Sequence, residues 1–190
     1  MFGAINEEYK DMRILFYLLS IVAANVVTAA FAPLQFGVFI VPMGTLLIGA
    51  TFIFRDLVQN KYGRAKTYGF IVTALILSAA VSFTLGDTLL IVAASALSFI
   101  VAESADTEIY SRLKLPMSWR VFYSGIVGGF LDSVIFVVIG LSPFGANILP
   151  WEAVPAAIVG QIIVKTIVQM IGAFILNQVH VRLEKKTVVS

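Results

Sequence analysis

The sequence predicts an all-α integral membrane protein that crosses the bilayer six times with both termini cytoplasmic. Three observations carry that expectation. Of 190 residues, 59% are hydrophobic and 13% charged, against about half and about a quarter in a soluble domain. The apolar stretches are continuous, where the strands of a membrane barrel would alternate over about ten residues. Lys and Arg, finally, fall in alternate connections between those stretches.

A helix needs about 20 mostly apolar residues to span the hydrocarbon, and six stretches meet or approach that length. The first, 12–31, contains the weakly polar pair Asn25 and Thr28. The second, 38–54, holds Pro42 and Gly44 early and ends against Arg55 and Asp56. The third is 65–85, and the fourth, 88–106, ends in the acidic "AESAD". The fifth, 120–141, contains Gly125 and Gly129, a GxxxG pair that lets another backbone approach closely. The sixth, 152–177, has Pro155 in its opening turn, as a kink or as a first-turn proline. Residues 1–190 thus form a single transmembrane domain. Two three-helix halves of opposite topology fit this count, although no similarity between 12–85 and 88–177 marks a repeat.

Orientation follows from charge. Arg55, Lys61, Arg64 and Lys66 surround the second connection, and Arg112, Lys114 and Arg120 the fourth. Lys10 and Arg13 precede the first helix, while Arg182, Lys185 and Lys186 follow the last. The connections "APLQFG", "GD" and "SPFGANILP" contain no basic residue. This is the positive-inside pattern at every connection. "AFA" at 30–32 resembles a signal-peptidase site, but the preceding apolar run exceeds the 7–15 residues of a signal core, so the first helix is expected to be retained. The chain has no cysteine, hence no disulfide and no thiolate metal site. No cofactor or metal is expected. The net charge of +2 is accounted for by topology and does not point to nucleic acid.

Several polar residues do not belong in lipid. Asp132 and Lys165 both fall near the bilayer midplane on consecutive helices. Each would cost about 2.5–3.5 kcal/mol if left facing hydrocarbon, and pairing them removes most of that cost. Gln161, Lys165 and Gln169 recur every four residues and share one helical face. Glu103, Asp106 and Tyr110 stand at i, i+3 and i+7 on helix four, again one face. Bland alternatives stand beside these. Asp132–Lys165 could be a purely structural pair, Arg55 an anchor at the inner surface, and Asp56 its surface partner. Glu108, Arg112, Lys114 and His180 are expected in solvent. The clusters on helices four, five and six together exceed what a structural pair requires.

Enzymatic chemistry is not expected. There is no HExxH, the one histidine lies beyond the last helix, "LGDT" at 85–88 lacks the first glycine of a GxGD acid, and there is no GxxxxGK[ST]. A polar cavity closed by six helices suits a solute pathway.

The ordered motifs "FRDLVQNKYGRAKTYG", "AESADTEIYSRLK", "GGFLDSVIF" and "IVKTIVQ" resemble the vitamin-uptake family of queuosine-precursor transporters, over about residues 42–177. The resemblance implies a compact protein of about six helices in a bacterial or archaeal cytoplasmic (inner) membrane. It would import 7-deazaguanine bases, which cells incorporate into tRNA as queuosine. Position by position, the family's acid after helix two matches Asp56, its helix-four acid Asp106, its helix-five acid and hydroxyl Asp132 and Ser133, and its helix-six lysine Lys165. The sequence departs in having Glu103 where some relatives carry glutamine, and Gly129 where some carry asparagine.

A carboxylate can accept the adjacent ring N–H and amino group of a deazaguanine, while Lys165, Gln161 or Gln169 supplies a donor to its carbonyl. Tyr110, Phe99, Phe130 and Phe136 are the candidate aromatic neighbours, and Asn25 a further polar contact. Arg55 and Asp56 are the candidate coupling or gating residues, and Asp56, Glu103 and Asp106 could relay a proton in a symporter. Two alternatives remain open. The chain could be the substrate-binding subunit of an ATP-driven energy-coupling transporter, docking through small residues such as Ala24 and Thr28, or a non-transporting assembly protein. A homodimer through the Gly125/Gly129 face is a further possibility, as is internal packing by that face.

Overall fold

The computed structural model describes the backbone over residues 2–189 and the side chains over 12–178. Lys10, Arg182, Lys185, Lys186 and the side chain of His180 lie outside the described side chains. Six helices dominate: α1 (Phe2–Ala30), α2 (Thr45–Tyr62), α3 (Arg64–Thr84), α4 (Leu89–Arg112), α5 (Met117–Ile135) and α6 (Val154–Val189). A π-helical turn, Phe136–Leu141, extends α5.

Short connections set helix neighbours side by side. α2 and α3 are separated by Gly63 alone, at φ +78°, and α3 turns into α4 at Gly86, at φ +95°. Both are conformations that a side chain disfavours and glycine accepts. Thr88 then caps α4, its Oγ1 accepting from the Ile91 amide at 3.4 Å.

The stretch expected as the start of a helix at 38 instead forms a hairpin. Strands β1 (Leu34–Phe36) and β2 (Phe39–Val41) pair antiparallel around a two-residue turn opened by Gly37 at φ +60°. Glycine first is what such a turn asks for. The aromatic and β-branched run Phe39–Val41 prefers the strand, and Pro42 stops it. The hairpin rests on α6, where Gly160 faces Val41 and Phe39 so closely that a Cβ would meet them at 2.9 and 3.1 Å.

Among the described residues, five segments are long and apolar enough to cross a membrane: Met12–Ala30, Arg64–Thr84, Leu89–Arg112, Met117–Leu141 and Val154–Gln178. α2 is not among them. It carries Arg55, Asp56 and Lys61, yet it touches all five other helices. Along its 18 residues only Leu46, Asn60 and Lys61 are exposed. A helix so enclosed meets protein where the others meet lipid, and its composition need not be apolar. The outward side chains of the other helices, Leu15, Phe16, Leu19, Ile76, Ile163, Ile167 and Phe174 among them, form the apolar surface.

Candidate functional site

Two polar layers lie inside this bundle. The first surrounds a cavity of about 70 Å³ near the end that carries the hairpin, reached by Asn25 and Thr28 of α1, Ser95 and Ser98 of α4, Asp132 and Phe136, and Gln161 and Lys165 of α6. Lys165, 2% exposed, spends its three N–H groups inside the protein. It meets Asp132 Oδ2 at 2.6 Å, Ser133 Oγ at 2.7 Å and Gln161 Oε1 at 3.4 Å. Ser133 Oγ in turn donates to the Gly129 carbonyl at 2.7 Å. The lysine takes only one oxygen of Asp132. Gln161 Nε2 is buried with no hydrogen-bond partner. The cavity wall therefore holds a partly accessible carboxylate and an unused amide donor. The π-turn begins four residues after Asp132 and puts Phe136 into the same wall, a local irregularity often found at functional sites.

The second layer lies toward the basic end and is centred on Arg55, whose side chain is fully buried. Nη1 donates to Gln59 Oε1 (2.8 Å) and Thr107 Oγ1 (2.6 Å). Nη2 pairs with Asp56 Oδ1 (2.9 Å) and with Asp106 Oδ2, and Nε with Glu103 Oε2 (3.2 Å). These carboxylate contacts are ion pairs without the alignment of good hydrogen bonds. All three guanidinium nitrogens thus have an oxygen within ion-pair or hydrogen-bond distance, although only Nη1 is aligned to donate. Gln59 Nε2 ties the layer to α4 through the Thr107 carbonyl (3.1 Å) and Ser111 Oγ (2.9 Å), and Ser124 Oγ donates to Asp56 Oδ2 at 3.4 Å. Arg55 and Asp56 are consequently not inner-surface anchors. Helix four runs on past 106 to Arg112 because its acids are buried against this arginine and need no solvent.

A model of the family described as "Putative vitamin uptake transporter" matches residues 79–179, more than half of the chain. The chain belongs to that family. With its apolar helices, this makes it a multi-pass membrane protein of a transporter family. Neither the curated proteins nor the solved structures compared with it gave a match. The matched region of this vitamin-uptake family member contains Glu103, Asp106, Tyr110, Asp132, Gln161, Lys165 and Gln169. Asn25, Arg55 and Asp56 lie before it.

Of the residues singled out from sequence, Asn25, Asp132, Gln161 and Lys165 meet at the cavity, while Arg55, Asp56, Glu103 and Asp106 meet in the second layer. Asn25 Nδ2 is engaged with Ser78, at 2.9 Å to Oγ and 3.3 Å to the carbonyl. Tyr110 does not line the cavity: its ring lies under the Arg120 guanidinium, 3.9 Å from its centroid. Gln169 is not among the cavity residues: its Nε2 donates to the Gly49 carbonyl at 3.0 Å, and its buried Oε1 has no hydrogen-bond partner. Phe99 lies in the core with Tyr17, and Phe130 is exposed. Sequence reasoning missed Gln59, Thr107, Ser124, Ser95, Ser98 and Tyr17. Gln59, one turn after Arg55, was open to the same i, i+4 argument used for helix six; Tyr17, an aromatic within an apolar run, carries no local signal.

Proposed function

We propose that this chain imports queuosine precursors, the 7-deazaguanine bases, across a bacterial or archaeal cytoplasmic membrane as a secondary transporter. It does so as a single domain of six crossings with both termini cytoplasmic, α2 being the enclosed crossing. The observation that carries this reading is the buried Asp132–Lys165 pair at the wall of a polar cavity, beside the unpartnered amide of Gln161. Loading replaces part of the lysine's hold on Asp132 with the ring N–H and amino group of the base, both accepted by the carboxylate. Gln161 Nε2 or the released Lys165 donates to the base carbonyl, and Phe136 offers an apolar face to the ring. Hydrogen bonds to an ionised group are about twice as strong as neutral ones, which suits capture of a scarce, uncharged solute.

The secondary-transporter form is favoured over an ATPase-docked subunit by the packing of α1. Ala24 is buried, and Gly44 sits so close to Thr28 Oγ1 and the Ala24 carbonyl that a Cβ would collide with both. Ala24 is thus engaged within the chain, while Thr28 packs against Gly44 and keeps an exposed side.

The test is to express the chain in bacteria that can neither make nor import queuosine precursors, and to feed 7-deazaguanine bases one at a time. Queuosine is expected to appear in tRNA with one base and to vanish with Asp132→Asn. Its absence with every base, despite membrane expression, would remove the substrate assignment; uptake by the purified chain in vesicles separates the secondary transporter from the ATP-driven form.

A further inference from the structure

The second polar layer has a charge imbalance. Three carboxyl groups, Asp56, Glu103 and Asp106, surround one guanidinium, and none is more than 1% exposed. Two uncompensated negative charges in a site without solvent are strongly disfavoured, and the usual resolution is that such a group takes up a proton. The three acids are not equally held. Asp56 has an ion pair and the Ser124 hydroxyl, and Asp106 has the closest contact to Arg55. Glu103 has one pair, at 3.2 Å to Oε2, the longest of the three acids' contacts to Arg55, and its buried Oε1, like Oδ1 of Asp106, has neither ion pair nor hydrogen bond.

The groups facing Glu103 can be taken element by element. α1 presents Tyr17, fully buried, whose hydroxyl has no hydrogen-bond partner. α2 presents Arg55 and Asp56, α4 itself Asp106, and α5 Asp132, whose charge also acts on Glu103. On α6, Lys165 is tied to Asp132 rather than to Glu103. The guanidinium of Arg55 already occupies the centre of the three acids, and a proton is a charge small enough to add to them there.

We propose that Glu103 is the proton carrier of this protein: it holds a proton at neutral pH, stands between the Arg55 layer and the substrate-side Asp132, and exchanges that proton with water on each transport cycle. In the step, a water-derived proton adds to a carboxylate oxygen of Glu103 and the neutral acid remains paired within the layer. Opening of the layer toward the basic end returns the proton to water there. The exchange half rests on the transport reading given above; the protonation half does not.

Infrared difference spectroscopy tests the protonation on the full chain purified at neutral pH, in light and heavy water. A protonated carboxyl has a C=O stretch that carboxylates lack and that deuterium shifts. The expected result is one such band, displaced when the chain carries isotope-labelled glutamate and lost in Glu103→Gln. Labelling requires no substitution, so it decides the matter even where the variant does not fold. No band, or a band displaced only by labelled aspartate, overturns the proposal. In vesicles, accumulation of a 7-deazaguanine base should depend on a pH gradient for the unaltered chain and lose that dependence in Glu103→Gln. A gradient dependence that survives the substitution overturns the coupling role. Failure of the unaltered chain to take up any base counts against the substrate reading alone, since the infrared result stands without it.

Discussion

Arg55 neutralises more charge than any other residue in the described interior, and its partners make its removal costly. Arg55→Ala would leave three buried carboxyl groups and the Gln59–Thr107 pair without their common donor. Breaking a buried pair by removing one partner typically costs about 3–5 kcal/mol, and a loss of at least that size is expected here, read as a lowered Tm in detergent. Arg55→Lys should recover little, because a single ammonium cannot present five donors in a plane. The Asp132–Lys165 pair permits a sharper experiment. Lys165→Met should destabilise by about 3–5 kcal/mol, whereas Asp132→Asn/Lys165→Gln together should restore much of the stability without restoring queuosine formation. If uptake returned with stability, the pair would be structural only.

At the level of elements, the two glycines of the GxxxG pair have different duties although the motif treats them alike. A Cβ on Gly125 would collide with the carboxamide of Gln169, which itself bonds the Gly49 carbonyl of α2. A Cβ on Gly129 would meet Lys165 Cβ and Cδ at 3.4 Å, an ordinary contact. Gly125→Ala should therefore cost about 1–3 kcal/mol, as overpacked cores do, and Gly129→Ala should be nearly neutral; thermal unfolding of the two variants side by side checks this. Equal effects would mean that α5 and α6 shift freely against each other. The glycine face is used inside the chain, so a homodimer would have to form elsewhere.

For the molecule as a whole, the open topological question is whether α2 counts as a crossing. Five crossings would leave the termini on opposite sides, six on the same side. Reporters fused at each end should both be cytoplasmic, and opposite results would reduce the count to five. The absence of cysteine allows a second check. A single cysteine placed at Asn147 should react with an impermeant reagent from outside the cell, and one at Lys66 should not.

The amino-acid sequence by itself determined the solvent of this protein and the helices that carry misplaced charge. Those properties are local: apolar length records contact with lipid, and a charge within an apolar run implies a partner somewhere. It also supplied one partner correctly, since Asp132 and Lys165 lie at one depth on consecutive helices. Only the tertiary structure decided the rest. Arg55 reaches Glu103, Asp106 and Thr107 on a helix about fifty positions away; the hairpin replaced the start of a helix; and α2 became the enclosed helix at the centre. A periodic pattern states which face of a helix is polar, but the face it meets is chosen by how all six helices pack, and that choice is made by the whole chain at once.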